Sequence, residues 1–106
     1  MAYRFNFSLK AIEDAEAAYT WLAEKSPRSA AEWYVKLFEK IESLKDNPSR
    51  CSLAPESDAF SEEIRQLLYG KRQNIYRILF VVRRQVIQIL RIRHAAMQLL
   101  DPKKDF

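Results

Sequence analysis

The spacing of hydrophobic residues changes along the chain, and each spacing predicts a secondary structure. Residues 3–7 alternate apolar and polar side chains, which is the period of a half-buried strand. After Ser8, apolar residues recur at intervals of three and four, which is the period of an amphipathic helix. Ser8 is a suitable N-cap, and the helix is predicted to end near Lys25. The predicted apolar stripe of this helix consists of Ile12, Ala15, Tyr19 and Leu22.

A second helix is predicted to begin at Pro27. Ser26 provides its N-cap, and proline is favoured at the first helical position, where its missing N–H is not needed. The segment NPS at 47–49 stops the helix, and residues 49–61 are predicted to form a loop. Two amphipathic helices joined by so few residues form an antiparallel hairpin. The predicted stripe of the second helix consists of Ala30, Tyr34, Leu37, Ile41 and Leu44.

Three further strands are predicted after the loop, at residues 63–69, 74–82 and 86–93. Gly70 lies where the first connection must turn, and the short connection RRQ at 83–85 favours an antiparallel hairpin. The order β-α-α-β-β-β predicts an α+β fold in which a helical hairpin packs on one face of a small, mainly antiparallel sheet. Because 48% of the 106 residues are hydrophobic, residues 1–106 are expected to form one domain with a substantial core.

The net charge of +4 hides a strong asymmetry between the two parts of the chain. Residues 1–63 carry eight basic and twelve acidic side chains, whereas residues 64–106 carry ten basic and two acidic ones. Such polarity within one small domain indicates a cationic face that meets a polyanion or an acidic partner protein. A solvated basic face without any ligand is the alternative.

Arginine side chains are predicted to gather on the sheet face that the helical hairpin leaves open. Strand alternation places on one face of the last strand Ile87, Ile89, Arg91 and Arg93. We expect Arg77, Arg91 and Arg93 to meet on the open face or at its rim, with Arg65 added from the neighbouring strand. Arg77 lies in the middle of an apolar strand and therefore requires a fixed counter-group.

Clustered guanidinium groups are suited to recognising phosphate or carboxylate, because arginine remains charged and presents a planar fork of donors. The alternative is that these arginines pair with helix carboxylates or keep an exposed sheet face soluble. His94 directly follows the basic strand. Repulsion by neighbouring arginines favours a neutral imidazole, which could act as a general base. The alternative role of His94 is to cap the end of the strand by hydrogen bonds.

Other chemistry receives little support from the sequence. Cys51 is the single cysteine, which excludes an intrachain disulfide, favours a reducing compartment and leaves a nucleophilic thiol without a paired base. One cysteine and one histidine offer no metal-ligand spacing, and one glycine cannot build a phosphate-cradling loop, so no metal or cofactor is expected. The aromatic residues at helical spacing are expected to be core residues: Trp21, Trp33, Tyr34 and Phe38.

A secretory signal and a membrane span are both unexpected. The N-terminus lacks a basic segment followed by an apolar core, and the longest apolar run, ILFVV at 78–82, is too short to cross a bilayer. A cytoplasmic location is therefore expected.

The order and spacing of several fragments resemble the RelE/ParE superfamily of bacterial toxins, often labelled plasmid stabilisation proteins. These fragments are the F-x-x-x-A pattern at the first helix, A-x-x-W and N-P in the second, then EIRQLLYG, YRILFVV and the closing ILRIRH. The resemblance covers nearly the whole chain and implies the β-α-α-β-β-β fold. It also implies a partner, an antitoxin encoded by the adjacent gene, whose C-terminal segment wraps the toxin in a hetero-oligomer and covers basic surface.

The superfamily has two activities, and the resemblance implies different roles for the basic residues in each. In RelE-like nucleases, which cut mRNA on the ribosome, Arg77 and Arg65 would stabilise the phosphate and His94 would move protons. ParE-like members inhibit DNA gyrase, and Arg65, Arg77, Arg91, Arg93 and His94 would then form a docking surface. Just after the last strand, where the nucleases place further basic residues and a tyrosine, this chain has Ala95, Ala96 and Met97 and no tyrosine in HAAMQLLDPKKDF, which favours the ParE-like branch. A degenerate toxin that binds only its antitoxin is a third alternative.

Overall fold

The computed structural model describes residues 3–106 and contains the predicted order of elements. Two helices follow a first short strand, and three longer strands complete the domain. Short 3-10 turns lie in the segment between the second helix and the second strand. The bounds are β1 (Arg4–Phe7), α1 (Leu9–Lys25), α2 (Pro27–Glu42), β2 (Arg65–Lys71), β3 (Asn74–Arg83) and β4 (Val86–His94).

The four strands form one mixed sheet in the order β1-β4-β3-β2. β1 runs parallel to β4, and the other two pairings are antiparallel. The helical hairpin packs on one face, with α1 against β4 and α2 against β2. The predicted α+β architecture is therefore confirmed. Large, fully buried side chains between the helices and this face include Leu37, Ile41, Ile78, Phe80, Ile87 and Ile89.

Both predicted helix starts are confirmed by their caps. The Ser8 hydroxyl accepts a hydrogen bond from the backbone N–H of Ala11 at 3.0 Å, and the Ser26 hydroxyl accepts one from the N–H of Ser29 at 3.3 Å. The predicted apolar stripe of α1 is partly wrong, because Ala11 is fully buried while Ile12 is 42% exposed. Small side chains on the inner surface of α1 let the helix approach the sheet closely.

A β-bulge in β4 changes which side chains share a face. Leu79 pairs with Arg91, whereas the next residue of β3 pairs with Ile89, so Leu90 is an extra residue in β4. Ile89 faces the helices, and Arg91 faces the other way. The prediction that the isoleucines Ile87 and Ile89 share a face with Arg91 and Arg93 is therefore wrong. Strict alternation assumes that each residue of β4 has a partner in β3, so it cannot reveal that Leu90 is unpaired.

Gly70 lies inside β2 and not in a turn, which corrects the prediction. It pairs with Ile75, and the connection between β2 and β3 is formed by Arg72 and Gln73. The φ angle of Gly70 is +123°, and a Cβ atom at this position would lie 2.0 Å from the carbonyl oxygen of Asn74. Only glycine fits here, because any side chain would collide with the backbone of β3.

Replacement of Gly70 by alanine is expected to lower the free energy of unfolding by at least about 2 kcal/mol, because strain at the positive φ adds to the clash with β3. Urea denaturation of both proteins would measure this difference. Gln73→Ala is the control, since Gln73 is exposed in the adjacent turn. Equal stability of the Gly70→Ala variant and the control would contradict the expectation.

The sequence predicted that the sheet face opposite the helices is open. In the structure, irregular chain covers much of this face. The segment between α2 and β2 and the C-terminal residues after β4 both cross it. A second apolar cluster forms beneath them from Ala54, Ile64, Leu79, Val81 and Leu100, with Phe60, Leu90 and Phe106 packed against it. Arg77 and Arg91 consequently lie largely under protein, whereas Arg83 on the same face remains exposed.

Candidate functional site

Arg77 lies under the irregular chain and is only 8% exposed. Its two terminal nitrogens donate to the carboxylate of Glu56 at 2.9 and 2.6 Å, and its Nε donates to the side-chain oxygen of Gln66 at 3.2 Å. Glu56 also accepts a hydrogen bond from the backbone N–H of Leu100 at 3.0 Å. The predicted counter-group of Arg77 is thus Glu56, and all three side-chain nitrogens of this arginine donate to other residues of the domain.

Burial by itself would raise the pKa of Glu56, but its hydrogen bonds reverse that effect. The backbone N–H of Leu100 and the guanidinium of Arg77 together hold the pKa of Glu56 below its ordinary value of 4.5. The carboxylate is therefore ionised at neutral pH, as a bidentate partner of arginine must be.

The stability of the protein is expected to fall on acidification in a way that depends on Glu56. Because its folded-state pKa lies below the unfolded value, ionised Glu56 stabilises the fold above about pH 4.5, and this contribution disappears as the pH falls through the folded-state pKa. Urea denaturation at several pH values would show the stability difference between the native protein and Glu56→Gln shrinking below pH 4.5. A difference that is constant or grows on acidification would contradict this assignment.

Arg91 is also paired internally. Its Nε and one terminal nitrogen donate to the carboxylate of Asp14 in α1 at 2.7 and 2.9 Å, and its other terminal nitrogen donates to the backbone carbonyl of Asp105. Its hydrogen bond to Asp14 raises the pKa of Arg91 further above its ordinary value, against the opposing effect of burial. Asp14 also accepts from the N–H of Ile92 at 3.0 Å, which satisfies the edge of β4 beyond the end of β1.

Arg93 differs from these two arginines because no carboxylate within residues 3–106 forms a salt bridge with it. One terminal nitrogen donates to the backbone carbonyl of Gln98 at 3.0 Å. Its Nε is buried and has no hydrogen-bond partner in the described part of the chain. Arg93 therefore lacks the direct contact with a carboxylate that Arg91 makes with Asp14.

Arg65 does not join the other arginines, which corrects the prediction that it gathers with them. It pairs with Phe80, a residue of the helix side, and its side chain donates to the carbonyl of Cys51 at 2.6 Å and to Glu63 at 3.1 Å. Burial raises the pKa of the Cys51 thiol, with Arg50 and Arg65 opposing the effect, and no described contact provides the thiol with a base.

His94 ends β4 on the helix side of the sheet. Its ring packs edge-on against Tyr76 with 5.1 Å between the ring centroids, and its Nδ1 accepts a hydrogen bond from the N–H of Ala96 at 3.0 Å. The strand-end hydrogen bond that the sequence offered as an alternative is therefore present. The β3 partners of Arg65 and His94 are Phe80 and Tyr76, which lie four positions apart, about 13 Å along the strand. Arg77 points to the opposite face.

The charge asymmetry of the sequence is largely compensated by pairing between the two parts of the chain. Where a basic residue of β2, β3 or β4 forms a salt bridge, the partner carboxylate belongs to residues 1–63. These pairs are Arg65 with Glu63, Arg77 with Glu56, Arg83 with Glu62 and Arg91 with Asp14. Pairing with carboxylates accounts for most of the positive charge in β2, β3 and β4. The sequence alternative of helix carboxylates holds only for Asp14 in α1, because the other three partners lie in the segment between α2 and β2.

A groove of about 550 Å³ lies between α1 and the end of β4. Trp21 forms part of one wall and is 47% exposed, so the prediction that it is a core residue is wrong. Met97, opposite it, is 56% exposed. The sequence contained a signal for this site, an aromatic residue in the last turns of α1 and a methionine just after the basic strand. The groove is lined by Asp14, Ala17, Ala18, Trp21, Tyr76, Ile92, Arg93, His94, Ala96 and Met97.

The groove is mostly apolar, with a small number of polar groups that could orient a ligand. Tyr76 forms part of its floor, and Asp14, Arg93 and His94 supply the polar groups. The Asp14 carboxylate is already paired with Arg91, so Arg93 is the ionic group lining the groove that forms no salt bridge within residues 3–106. Protein sites that bind apolar ligands with a few fixed polar contacts have this composition and size.

The helical hairpin on a mixed four-stranded sheet, with the order β-α-α-β-β-β, is the fold that the resemblance to the RelE/ParE superfamily implied. Residues 5–99 match the family model described as ParE toxin of type II toxin-antitoxin system, parDE. The chain therefore belongs to the ParE toxin family.

Solved structures agree with this assignment at the level of the fold. A chain from the chromosomal ParDE TA system of P. aeruginosa is 21% identical and superimposes with a TM-score of 0.68, covering 88% of this chain and 96% of the other. No curated protein sequence matches this chain significantly. Neither α1 nor α2, the helices within residues 3–106, combines the length and the apolar character that crossing a membrane requires.

Proposed function

We propose that this toxin of a type II toxin-antitoxin system inhibits DNA gyrase in the cytoplasm, and that a cognate antitoxin encoded by the adjacent gene neutralises it. The observation that supports this most is the internal pairing of Arg77. A toxin that cuts mRNA needs cationic groups free to contact phosphate, together with a proton-transfer group beside them. A toxin that acts by binding another protein needs neither.

The three residues that a nuclease would use do not converge. Arg77 lies under the irregular chain against Glu56, Arg65 lies on the opposite face against backbone carbonyls and Glu63, and His94 faces the helix side at the other end of the sheet. Moving Arg77 toward a phosphate would leave Glu56 buried and unpaired, which is strongly unfavourable. This arrangement supports gyrase inhibition over mRNA cleavage on the ribosome.

The groove at the end of β4 is the site that we assign to the antitoxin. Its walls, formed by Trp21, Met97 and the alanines of α1, are suited to apolar side chains of a peptide segment. Arg93 has no carboxylate partner within the described residues, so an acidic residue in that segment would supply one. An antitoxin segment with an apolar anchor beside an acidic residue fits both features, and the complex would be a toxin-antitoxin hetero-oligomer.

The function can be tested by inducing the toxin without its antitoxin and following DNA synthesis and protein synthesis separately by pulse labelling. Gyrase inhibition predicts that DNA synthesis fails while translation initially continues, and that purified toxin blocks supercoiling by purified gyrase. The variant His94→Ala should remain toxic in this case. Immediate arrest of translation, with transcripts cleaved by the native protein but not by His94→Ala, would establish the nuclease instead. Normal synthesis of both would indicate a toxin that only binds its antitoxin.

A further inference from the structure

The C-terminal segment, residues 98–106, lies as a strap across the arginine face of the sheet. Lysine and arginine side chains hold it by its backbone, since Arg91, Arg93 and Lys10 each donate to one of its carbonyl oxygens. Phe106 at its end packs against Phe60 with 5.1 Å between the ring centroids. The strap is thus an ordered part of the domain, although β4 ends at residue 94.

One point of the strap is far more buried than the others. Leu100 is 3% exposed, sits in the second apolar cluster, and donates its N–H to the carboxylate of Glu56 at 3.0 Å. Glu56 is in turn fixed by two contacts to Arg77 at 2.6 and 2.9 Å. A charge-assisted hydrogen bond within an apolar cluster is a strong anchor, because water cannot replace either partner. We call Glu56 and Leu100 the pin of the strap.

Leu100 of the pin is close in sequence to residues that line the groove. Ala96 and Met97, which line the groove, lie between His94 at the end of β4 and Leu100. Within this short span, Gln98 also accepts the hydrogen bond of Arg93, another lining residue. If Leu100 is displaced, the segment that contains Met97 is no longer fixed at its C-terminal end. The same holds for the Gln98 carbonyl, which accepts the hydrogen bond of Arg93.

We propose that Glu56 is a positioning residue of the antitoxin site, because it pins the strap at Leu100 and so holds the Met97 wall and Arg93 in the geometry that receives the antitoxin. This inference rests on the proposed docking of the antitoxin in the groove. Glu56 itself does not line the groove, so its effect on binding must travel through the strap. If removal of the pin leaves the wall in place in only about one molecule in ten, the affinity for the antitoxin falls about tenfold.

The experiment compares two variants that release the pin with two matched controls. Glu56→Gln removes the charge of the pin. Leu100→Ala removes its apolar anchor but keeps the backbone N–H that donates to Glu56 and leaves the Glu56 to Arg77 pair intact. The controls are Glu62→Gln, the same neutralisation in an exposed pair with Arg83, and Lys103→Ala, a change at an exposed position of the strap. Leu100→Ala keeps the test informative if Glu56→Gln folds poorly.

Three measurements on the full chain separate positioning from general destabilisation. Amide exchange reports opening of residues 98–106, Trp21 fluorescence in a Trp33→Phe background reports the groove, and calorimetry gives the affinity for the purified cognate antitoxin. We expect both pin variants to show faster exchange confined to the strap, altered Trp21 emission and at least about tenfold weaker binding. Both controls should match the native protein.

The possible outcomes distinguish the inference from the function on which it rests. Native affinity in both pin variants, with the strap open, would overturn the positioning role while leaving the antitoxin site intact. Native exchange of the strap in both folded variants would overturn the pin itself. Binding of the antitoxin that leaves Trp21 emission unchanged in the Trp33→Phe protein without a pin substitution would instead contradict the proposed docking in the groove.

Discussion

Replacement of Arg77 by alanine is expected to lower the free energy of unfolding by about 3–5 kcal/mol, a large part of the total stability of a domain of this size. The cause is not the lost attraction alone. Without the guanidinium, the Glu56 carboxylate stays buried without its counter-charge. It keeps the hydrogen bond from the N–H of Leu100. Urea denaturation monitored by circular dichroism would measure the loss.

Two further variants show whether the effect belongs to the buried pair. Arg83→Ala breaks an exposed pair with Glu62 and should change stability little, because solvent already screens these charges. The double variant Glu56→Leu with Arg77→Met should recover much of the lost stability, since apolar groups of similar volume replace a buried ion pair at little cost. An Arg77→Ala protein as stable as Arg83→Ala would show that Arg77 is not the buried partner described above. It would also return Arg77 to the candidates for phosphate binding.

Substitution of Ala17 by glutamate is expected to weaken binding of the cognate antitoxin about 100-fold, equivalent to about 2.7 kcal/mol. Ala17 is exposed on α1 and lines the groove, so a longer acidic side chain there would occupy space meant for apolar groups of the partner. It would also compete for Arg93, which forms no salt bridge with a carboxylate in the part of the chain that the structure describes. Isothermal calorimetry with the purified antitoxin would measure the change.

The matched control is Ala31→Glu, which places the same substitution at an exposed alanine of the other helix, outside the groove. Thermal unfolding should show both variants folded, because neither alanine belongs to the core. Equal antitoxin affinity in the two variants would exclude the groove as the docking site. Toxicity without antitoxin should be unchanged in Ala31→Glu, so that growth inhibition confirms an active toxin in the assay.

The elements of the fold could be predicted because their signals are local. Ser8 and Ser26 each precede a change to helical spacing, and their hydroxyls form the expected caps. The requirement of Arg77 for a counter-group also followed from its apolar neighbours alone. The identity of that group did not, because Glu56 lies 21 positions away in a segment with no periodic pattern.

Errors in the predicted site arose where one strand or segment depends on another. The bulge at Leu90 exists only in the pairing of β3 with β4, and it moves Arg91 and Arg93 to the face opposite Ile89. Gly70 was placed in a turn because glycine is common there, whereas its function is to let the backbone of Asn74 approach. Trp21 has helical spacing, but its side chain lines the groove and stays 47% exposed.

By itself, the sequence determined the order of elements, the two capped helices, the membership of the RelE/ParE superfamily and the presence of a strongly basic C-terminal part. These properties depend on spacing, residue type and composition, which the chain carries before it folds. Only the tertiary structure decided that most arginines of the sheet are paired, that the strap covers their face, and that the groove stays open beside Trp21. Pairing and covering depend on which distant residues meet, and a carboxylate such as Glu56 acquires its partner only when the irregular segment folds over the sheet.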